Sequence, residues 1–144
     1  MQIHEKKIYI TGVSGFIGSR MAKLFLVQGY KVVGLVRRLG DVVSKELGIE
    51  VIEADLNDSK QLKLETAQTI IHCATANDIV SKDSASGFSL SVLGTNKILE
   101  ASCKAGISNI IFFSTAQIYG TELNGKFNES SKINCETAYA ANHY

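Results

Sequence analysis

Three glycines at a spacing of three constrain the fold of this chain more than any other feature. Gly12, Gly15 and Gly18 lie between a buried strand predicted at Lys7–Thr11 and an amphipathic helix that Gly29 ends. Gly12 permits a tight turn, Gly15 lets backbone approach a pyrophosphate, and Gly18 lets the helix pack closely on the strand. The helix N-terminus would offer N–H groups to phosphates. The segment predicts a nucleotide-binding strand–turn–helix unit, with a purely structural turn as the alternative.

Two competing motifs are excluded by single residues. A P-loop requires lysine and then serine or threonine after its last glycine, whereas Gly18 is followed by Ser19 and Arg20. A nucleophile elbow requires glycine two positions after its serine, whereas Phe16 follows Ser14 at that distance.

Short apolar strands and helical segments alternate along the rest of the 144 residues. This alternation predicts one α/β domain over 1–144, a doubly wound parallel sheet of five strands in the order 3-2-1-4-5. After the first strand and helix, the predicted strands are Lys31–Val36, Glu50–Ala54, Thr69–Cys73 and Ile110–Ser114, and the predicted helices are Val42–Leu47, Ser59–Leu64, Ser86–Lys104 and a last one from Glu136.

Charge and cysteine content narrow the class of protein. The net charge is +1, so we expect no nucleic-acid partner, and no apolar run reaches the ~20 residues of a membrane span. Three scattered cysteines suit neither a disulfide framework nor a metal site, which favours reduced thiols and a cytoplasmic location. We interpret His4, Asp78 and Asp83 as solvent-exposed residues.

Five segments occur in an order that resembles a known family. They are Thr11–Gly18, Glu53–Leu56, Ile70–Ala76, Val92–Asn96 and Ile111–Gly120. Together they are similar to the motifs of the extended short-chain dehydrogenases, the NAD-dependent epimerase/dehydratase family. The resemblance implies a Rossmann fold that binds NAD or NADP, a later substrate domain, and epimerisation, dehydration or reduction of nucleotide sugars through hydride transfer.

The resemblance also implies a set of cofactor-binding residues, in which Asp55 and the backbone after it hold the adenine. The set comprises Gly12, Ser14, Gly15, Phe16, Ile17, Gly18, Arg37, Arg38, Asp55, Leu56, Cys73, Ala74, Thr75 and Ser114. Members that use NAD typically have an acidic residue where Arg37 and Arg38 lie, about 20 residues after the glycines. Arginine instead suits a 2′-phosphate, so we expect NADP, with NAD as the alternative if both arginines lie in a solvated loop.

The catalytic residues implied by the family are Thr115, Tyr139 and His143. Thr115 matches the residue that hydrogen-bonds the reacting oxygen, and a plain strand-end threonine is its alternative. Tyr139 matches the acid/base tyrosine of Tyr-x-x-x-Lys, but His143 replaces the lysine. An imidazole near neutrality carries little of the charge that lowers a tyrosine pKa, so the substitution weakens the case for activity. A surface residue near the terminus is the alternative for His143.

Two further observations leave the enzymatic role open. Ser91 lies where the family usually has asparagine, and His72 is interpreted as a strand residue beside the cofactor. The sequence stops at Tyr144, inside the helix expected to carry the tyrosine, so we expect the substrate domain to be absent and turnover by this chain to be undetectable. The alternative function is a non-catalytic NADP(H)-binding or redox-sensing module. Family dimers imply a homodimer that associates through the fourth and terminal helices.

Overall fold

The computed structural model describes residues 6–40, 42–58, 60–77 and 79–144, so His4 and Asp78 lie outside the described residues. Strands and helices alternate along the chain in this order: β1 (Lys7–Thr11), α1 (Phe16–Val27), β2 (Lys31–Val36), α2 (Val42–Leu47), β3 (Glu50–Glu53), β4 (Thr69–His72), α3 (Ser84–Phe88), α4 (Gly94–Lys104), β5 (Asn109–Phe112) and α5 (Ala138–Ala141). Turns of 3-10 helix lie at Val80–Lys82 and Ala116–Tyr119, and the π-helical turn Ser89–Leu93 joins α3 to α4.

The strands form one parallel sheet in the order β3-β2-β1-β4-β5, as predicted. β1 lies in the centre and is buried along its whole length. Ile10 of β1 pairs with Gly34 of β2 on one side and with Ile71 of β4 on the other. Because all neighbours are parallel, the carboxyl ends of the strands meet at one edge of the sheet, where α/β domains place their ligands.

The two faces of the sheet carry separate cores, and the alternation of side chains along each strand assigns residues to them. Tyr9, Val33 and Ile70 pack on the face that Ile98 of α4 covers. On the opposite face, the core around Ala22 of α1 comprises Ile8, Ile10, Val13, Ala22, Val32, Val36 and Ile71. Burial on both faces explains why these strands read as continuous apolar runs.

The helix predicted at Ser59–Leu64 is wrong within the described residues, because 60–68 contain no helix. Leu62 is buried and Leu64 is partly buried in the core on the α4 face, and the Tyr9 hydroxyl accepts a hydrogen bond from the Glu65 N–H at 3.2 Å. These tertiary contacts override the weak helical propensity of the segment.

The other helix and strand boundaries differ from the predicted ones for local reasons. The helix predicted at Ser86–Lys104 begins at Ser84, after Asp83 accepts a hydrogen bond from the Ser86 N–H, and the π-helical turn interrupts it. Asp83 is exposed, as expected. The last helix begins at Ala138 rather than Glu136, because Thr137 caps it through the Ala140 N–H at 3.0 Å. Strands β3, β4 and β5 end one or two residues before the predicted positions.

Candidate functional site

The glycine turn lies against the segment that follows β4. Gly12 has a φ of +63°, and a Cβ there would lie 3.0 Å from the Ala74 nitrogen. A Cβ at Gly18 would lie 2.2 Å from the Gly12 carbonyl oxygen, and one at Gly15 would lie 3.1 Å from the same oxygen. Only glycine permits this approach of the first turn of α1 to the end of β1, as the spacing of the motif predicts.

The N-terminus of α1 is open to a ligand. Its N-cap residue, Gly15, has extended backbone, offers no side-chain cap, and no acidic residue lies in the first turn. Phe16 is 74% exposed and Ile17 is 43% exposed. Uncapped N–H groups and the helix dipole favour an anion at this position.

A cavity of about 220 Å³ opens at the carboxyl edge of the sheet, beside the glycine turn. Segments that follow β1, β2, β3 and β4 all contribute to its wall. The lining residues are Thr11, Gly12, Ser14, Leu35, Val36, Arg37, Ala54, Asp55, Leu56, Asn57, Ala74, Thr75 and Leu90. Seven of the cofactor-binding residues expected from the family line the cavity together: Gly12, Ser14, Arg37, Asp55, Leu56, Ala74 and Thr75.

The two arginines and Asp55 follow neighbouring strands, β2 and β3. Arg37 and Arg38 are exposed and line a shallow cavity with Ser14, next to the main one. The Asp55 carboxylate accepts a hydrogen bond from the Asn57 N–H at 2.9 Å, and the Asp55 carbonyl accepts one from Lys97 Nζ at 2.9 Å. The loop after β3 is therefore held in place by its own backbone and by α4.

A directed chain of hydrogen bonds runs from the glycine turn to α4 through His72. The Thr11 hydroxyl oxygen accepts hydrogen bonds from the N–H groups of Cys73 and Ala74, both at 3.0 Å, so its proton points to His72 Nδ1 at 2.6 Å. His72 Nε2 therefore carries the proton and donates to the Thr95 hydroxyl at 2.9 Å. Thr95 in turn donates to the Ser91 carbonyl in the π-helical turn.

Burial shifts the pKa values of His72 and Cys73, which both take part in these hydrogen bonds. His72 is 1% exposed, and burial, followed by the charge of His143, lowers its pKa from 6.5 to about 4. Burial raises the pKa of the Cys73 thiol to about 11. His72 is thus a neutral strand residue, as the sequence indicates, and Cys73 is a protonated thiol near neutral pH.

Of the three residues expected to be catalytic, Tyr139 and His143 contact each other directly. His143 contacts the ring of Tyr139, with the ring centroids 4.3 Å apart, and its carbonyl accepts a hydrogen bond from the Ser114 hydroxyl at 2.8 Å. Thr115 Oγ1 accepts from the Gln117 N–H at 3.3 Å. Among the hydrogen bonds of the described residues, none joins Thr115 to the Tyr139 side chain. His143 is 3% exposed, so its interpretation as a surface residue is wrong.

Sequence reasoning missed Thr95 and the structural role of Ser91. The Ser91 hydroxyl accepts a hydrogen bond from the Ala76 N–H at 2.9 Å, which ties the loop after β4 to α4. A signal for both residues was available, because Ser91 and Thr95 place two hydroxyls four residues apart on a helix face that otherwise packs into a core.

No helix in 6–40, 42–58, 60–77 and 79–144 is long and apolar enough to cross a membrane. The same residues contain no group of three or more histidine, cysteine, aspartate or glutamate side chains placed to hold a metal ion.

The sheet order, the glycine turn and the cavity at the carboxyl edge define a Rossmann-type, doubly wound α/β domain. The sequence profile of the NAD dependent epimerase/dehydratase family matches residues 8–144. The chain belongs to that family.

Individual proteins are similar to the chain over most of its length. The chain is 29% identical over 153 residues to mouse dTDP-D-glucose 4,6-dehydratase, covering 94% of this chain and 42% of the relative. It is 28% identical over 123 residues to sterol demethylase protein B of Methylococcus capsulatus, covering 83% and 38%. The structure of MoeE5 in complex with UDP-glucuronic acid and NAD superposes with a TM-score of 0.81 at 27% identity, over 95% of this chain and 46% of that one. The chain thus spans less than half the length of these proteins.

Proposed function

We propose that this chain is the NAD(P)-binding part of an enzyme that transforms nucleotide sugars by hydride transfer. The observation that carries the proposal is the glycine turn, where Cβ atoms at Gly15 and Gly18 would crowd the Gly12 backbone beside the cavity. The known complex of MoeE5 with NAD and a nucleotide sugar, and the sugar substrate in the name of the mouse relative, support the substrate class.

The residues at the carboxyl edge fit a dinucleotide. Uncapped N–H groups at the start of α1 would bind the pyrophosphate, and Asp55 would bind the adenine. Arg37 lines the wall beside Ser14, where a 2′-phosphate on the adenosine ribose would meet its guanidinium group. We therefore propose NADP as the preferred cofactor and NAD as the alternative.

The catalytic roles rest on the family pattern and on the position of α5. A bound nicotinamide would supply the hydride acceptor or donor. Thr115 would hydrogen-bond the reacting oxygen of the sugar, and Tyr139 would exchange a proton with that oxygen. His143 occupies the position of the family lysine, with its ring against Tyr139. No observation favours the non-catalytic sensing module, which stays an alternative.

Calorimetric titration of the chain with NADPH and NADH tests the cofactor assignment. Gly15 has φ −80° and ψ 174°, so alanine fits its backbone, but the added methyl would stand 3.1 Å from the Gly12 oxygen, where the pyrophosphate must approach. We expect Gly15→Ala to lose most of the affinity while the circular dichroism spectrum stays unchanged. Ser130→Ala, in an exposed turn, is the control and should bind like the unmodified chain. Equal affinities for Gly15→Ala and the unmodified chain would contradict the assignment.

A further inference from the structure

Every polar atom of His143 has a partner, although the residue lies in the last turn of the chain. Its N–H donates to the Ala140 carbonyl at 3.1 Å, and its carbonyl accepts from the Ser114 hydroxyl. Ring Nδ1 lies 2.8 Å from the Tyr139 carbonyl oxygen, and ring Nε2 lies 3.0 Å from Thr75 Oγ1. The imidazole therefore connects α5 to the loop after β4.

The partners of the ring fix the direction of the hydrogen bond to Thr75. A carbonyl oxygen can only accept, so Nδ1 carries the proton that is donated to Tyr139. In the neutral imidazole, Nε2 is then an acceptor, and the Thr75 hydroxyl must donate its proton to it. The only hydroxyl proton of Thr75 is used inside the protein.

Thr75 also lies in the wall of the cavity, which Ala74, Asp55 and Arg37 line as well. Because its proton is committed to His143, its oxygen has only lone pairs left for a ligand. Such an oxygen accepts a hydrogen bond from a ligand hydroxyl and offers no proton to a ligand carbonyl or phosphate.

We propose that His143 is a positioning residue that holds Thr75 with its oxygen turned to the cavity as an acceptor for a cofactor hydroxyl. The inference rests on the proposed function for the identity of the ligand, whereas the direction of the hydrogen bond rests on the protein alone. A lysine at position 143 would impose the opposite direction, because an ammonium group only donates and the Thr75 oxygen would have to accept.

His72 is an internal reference, because its ring proton lies on the other ring nitrogen. Its Nδ1 accepts from Thr11 and its Nε2 donates to Thr95, so its proton lies on Nε2, whereas that of His143 lies on Nδ1. The two rings thus differ in a property that can be measured in one sample.

Long-range proton–nitrogen correlation spectra of the ¹⁵N-histidine-labelled chain at pH 8, without cofactor, test the direction. Of the three histidine rings, we expect that of His143 to be protonated on Nδ1 alone and that of His72 on Nε2 alone, with the first assigned to His143 by its shift in Thr75→Val. A His143 ring protonated on Nε2, or a mixture of both forms, would overturn the proposal. The measurement needs no bound ligand, so it decides this point even if the proposed function is wrong.

Calorimetry with NADPH and NADH tests the role of the Thr75 oxygen. Thr75→Val keeps the shape but removes the hydroxyl, and we expect the dissociation constant to rise about three- to tenfold, as for the loss of one neutral hydrogen bond. Thr75→Ser retains the hydroxyl and should restore binding to within about twofold. Equal binding by Thr75→Val and the unmodified chain would overturn the role of Thr75. Absence of binding by the unmodified chain would instead refute the proposed function.

Discussion

Acid should destabilise this domain through His72 well before its carboxylates are protonated. The folded-state pKa of His72 is about 4, below the value of 6.5 for a free imidazole, because burial disfavours the cation. The hydrogen bonds agree with this direction, since the Thr11 oxygen already accepts two N–H groups and cannot take a third proton from a charged ring.

The sign and size of the effect follow from proton linkage. Between pH 4 and pH 6.5 the unfolded chain binds a proton at His72 and the folded chain does not, so the free energy of unfolding falls as the pH falls through that window. The lowering of the pKa corresponds to a total loss of ~3 kcal/mol below pH 4, of which ~2 kcal/mol is lost between pH 7.5 and pH 5. Above pH 7, His72 contributes no penalty.

Urea denaturation followed by circular dichroism at several values between pH 7.5 and pH 5 measures this loss. His72→Gln is the comparison, because glutamine retains a donor and an acceptor but does not titrate. The other ionisable groups are common to both proteins, including Asp58, Glu65 and Glu136, whose pKa values are lowered from about 4. We expect the difference in unfolding free energy to change by ~2 kcal/mol over the range. Parallel pH profiles for the two proteins would refute the reasoning.

The remaining predictions concern the cofactor, the helix contact, the thiols and the assembly. NADPH should bind about ten- to hundredfold tighter than NADH in calorimetry, and the double variant Arg37→Ala, Arg38→Ala should lose this preference. The control Lys23→Ala, Lys104→Ala removes two positive charges from exposed positions and should keep the preference. Equal affinities of the unmodified chain for the two cofactors would contradict the prediction. Thr95→Val should cost ~1–2 kcal/mol in urea denaturation, because Nε2 of the buried His72 loses its partner, and Thr95→Ser should recover most of it. Iodoacetamide at pH 8 should modify exposed Cys103 before Cys73, whose pKa is raised to about 11, and mass spectrometry showing the reverse order would contradict this. Sedimentation should show a dimer, and a strict monomer at high concentration would remove that expectation.

The parts of the fold that the sequence predicts are those that local pattern controls. β1 and β2 are continuous apolar runs, and the structure places both with the predicted bounds. The glycine turn is local for the most part, because Gly12 has a φ of +63° and Gly18 must lack a side chain where it meets the Gly12 backbone. The close approach of Gly12 to Ala74 is a contact distant in sequence. The order of the sheet follows from short crossovers of one hand, and it is confirmed.

The features that escaped prediction depend on contacts distant in sequence. Residues 60–64 lose their helix because Leu62 packs into a core built by other elements. In the π-helical turn before α4 the Ser91 carbonyl accepts a hydrogen bond from the Thr95 hydroxyl, and neither a propensity nor a period signals such a turn. His143 looks exposed in sequence because it is one residue from the last, yet Thr75, 68 positions earlier, binds its ring.

The two buried histidines show why the chemistry of such a site depends on partners rather than on residue type. Burial holds His72 neutral. Because Thr11 has no free lone pair, protonation of the ring would also break the link between the glycine turn and α4. His143 faces a carbonyl oxygen, which can only accept, and the Thr75 hydroxyl, which can also donate, so these two partners fix which ring nitrogen carries the proton of the neutral ring. His143 thus sets the direction of a hydrogen bond to a residue of the cavity wall, whereas His72 joins the glycine turn to α4 inside the fold.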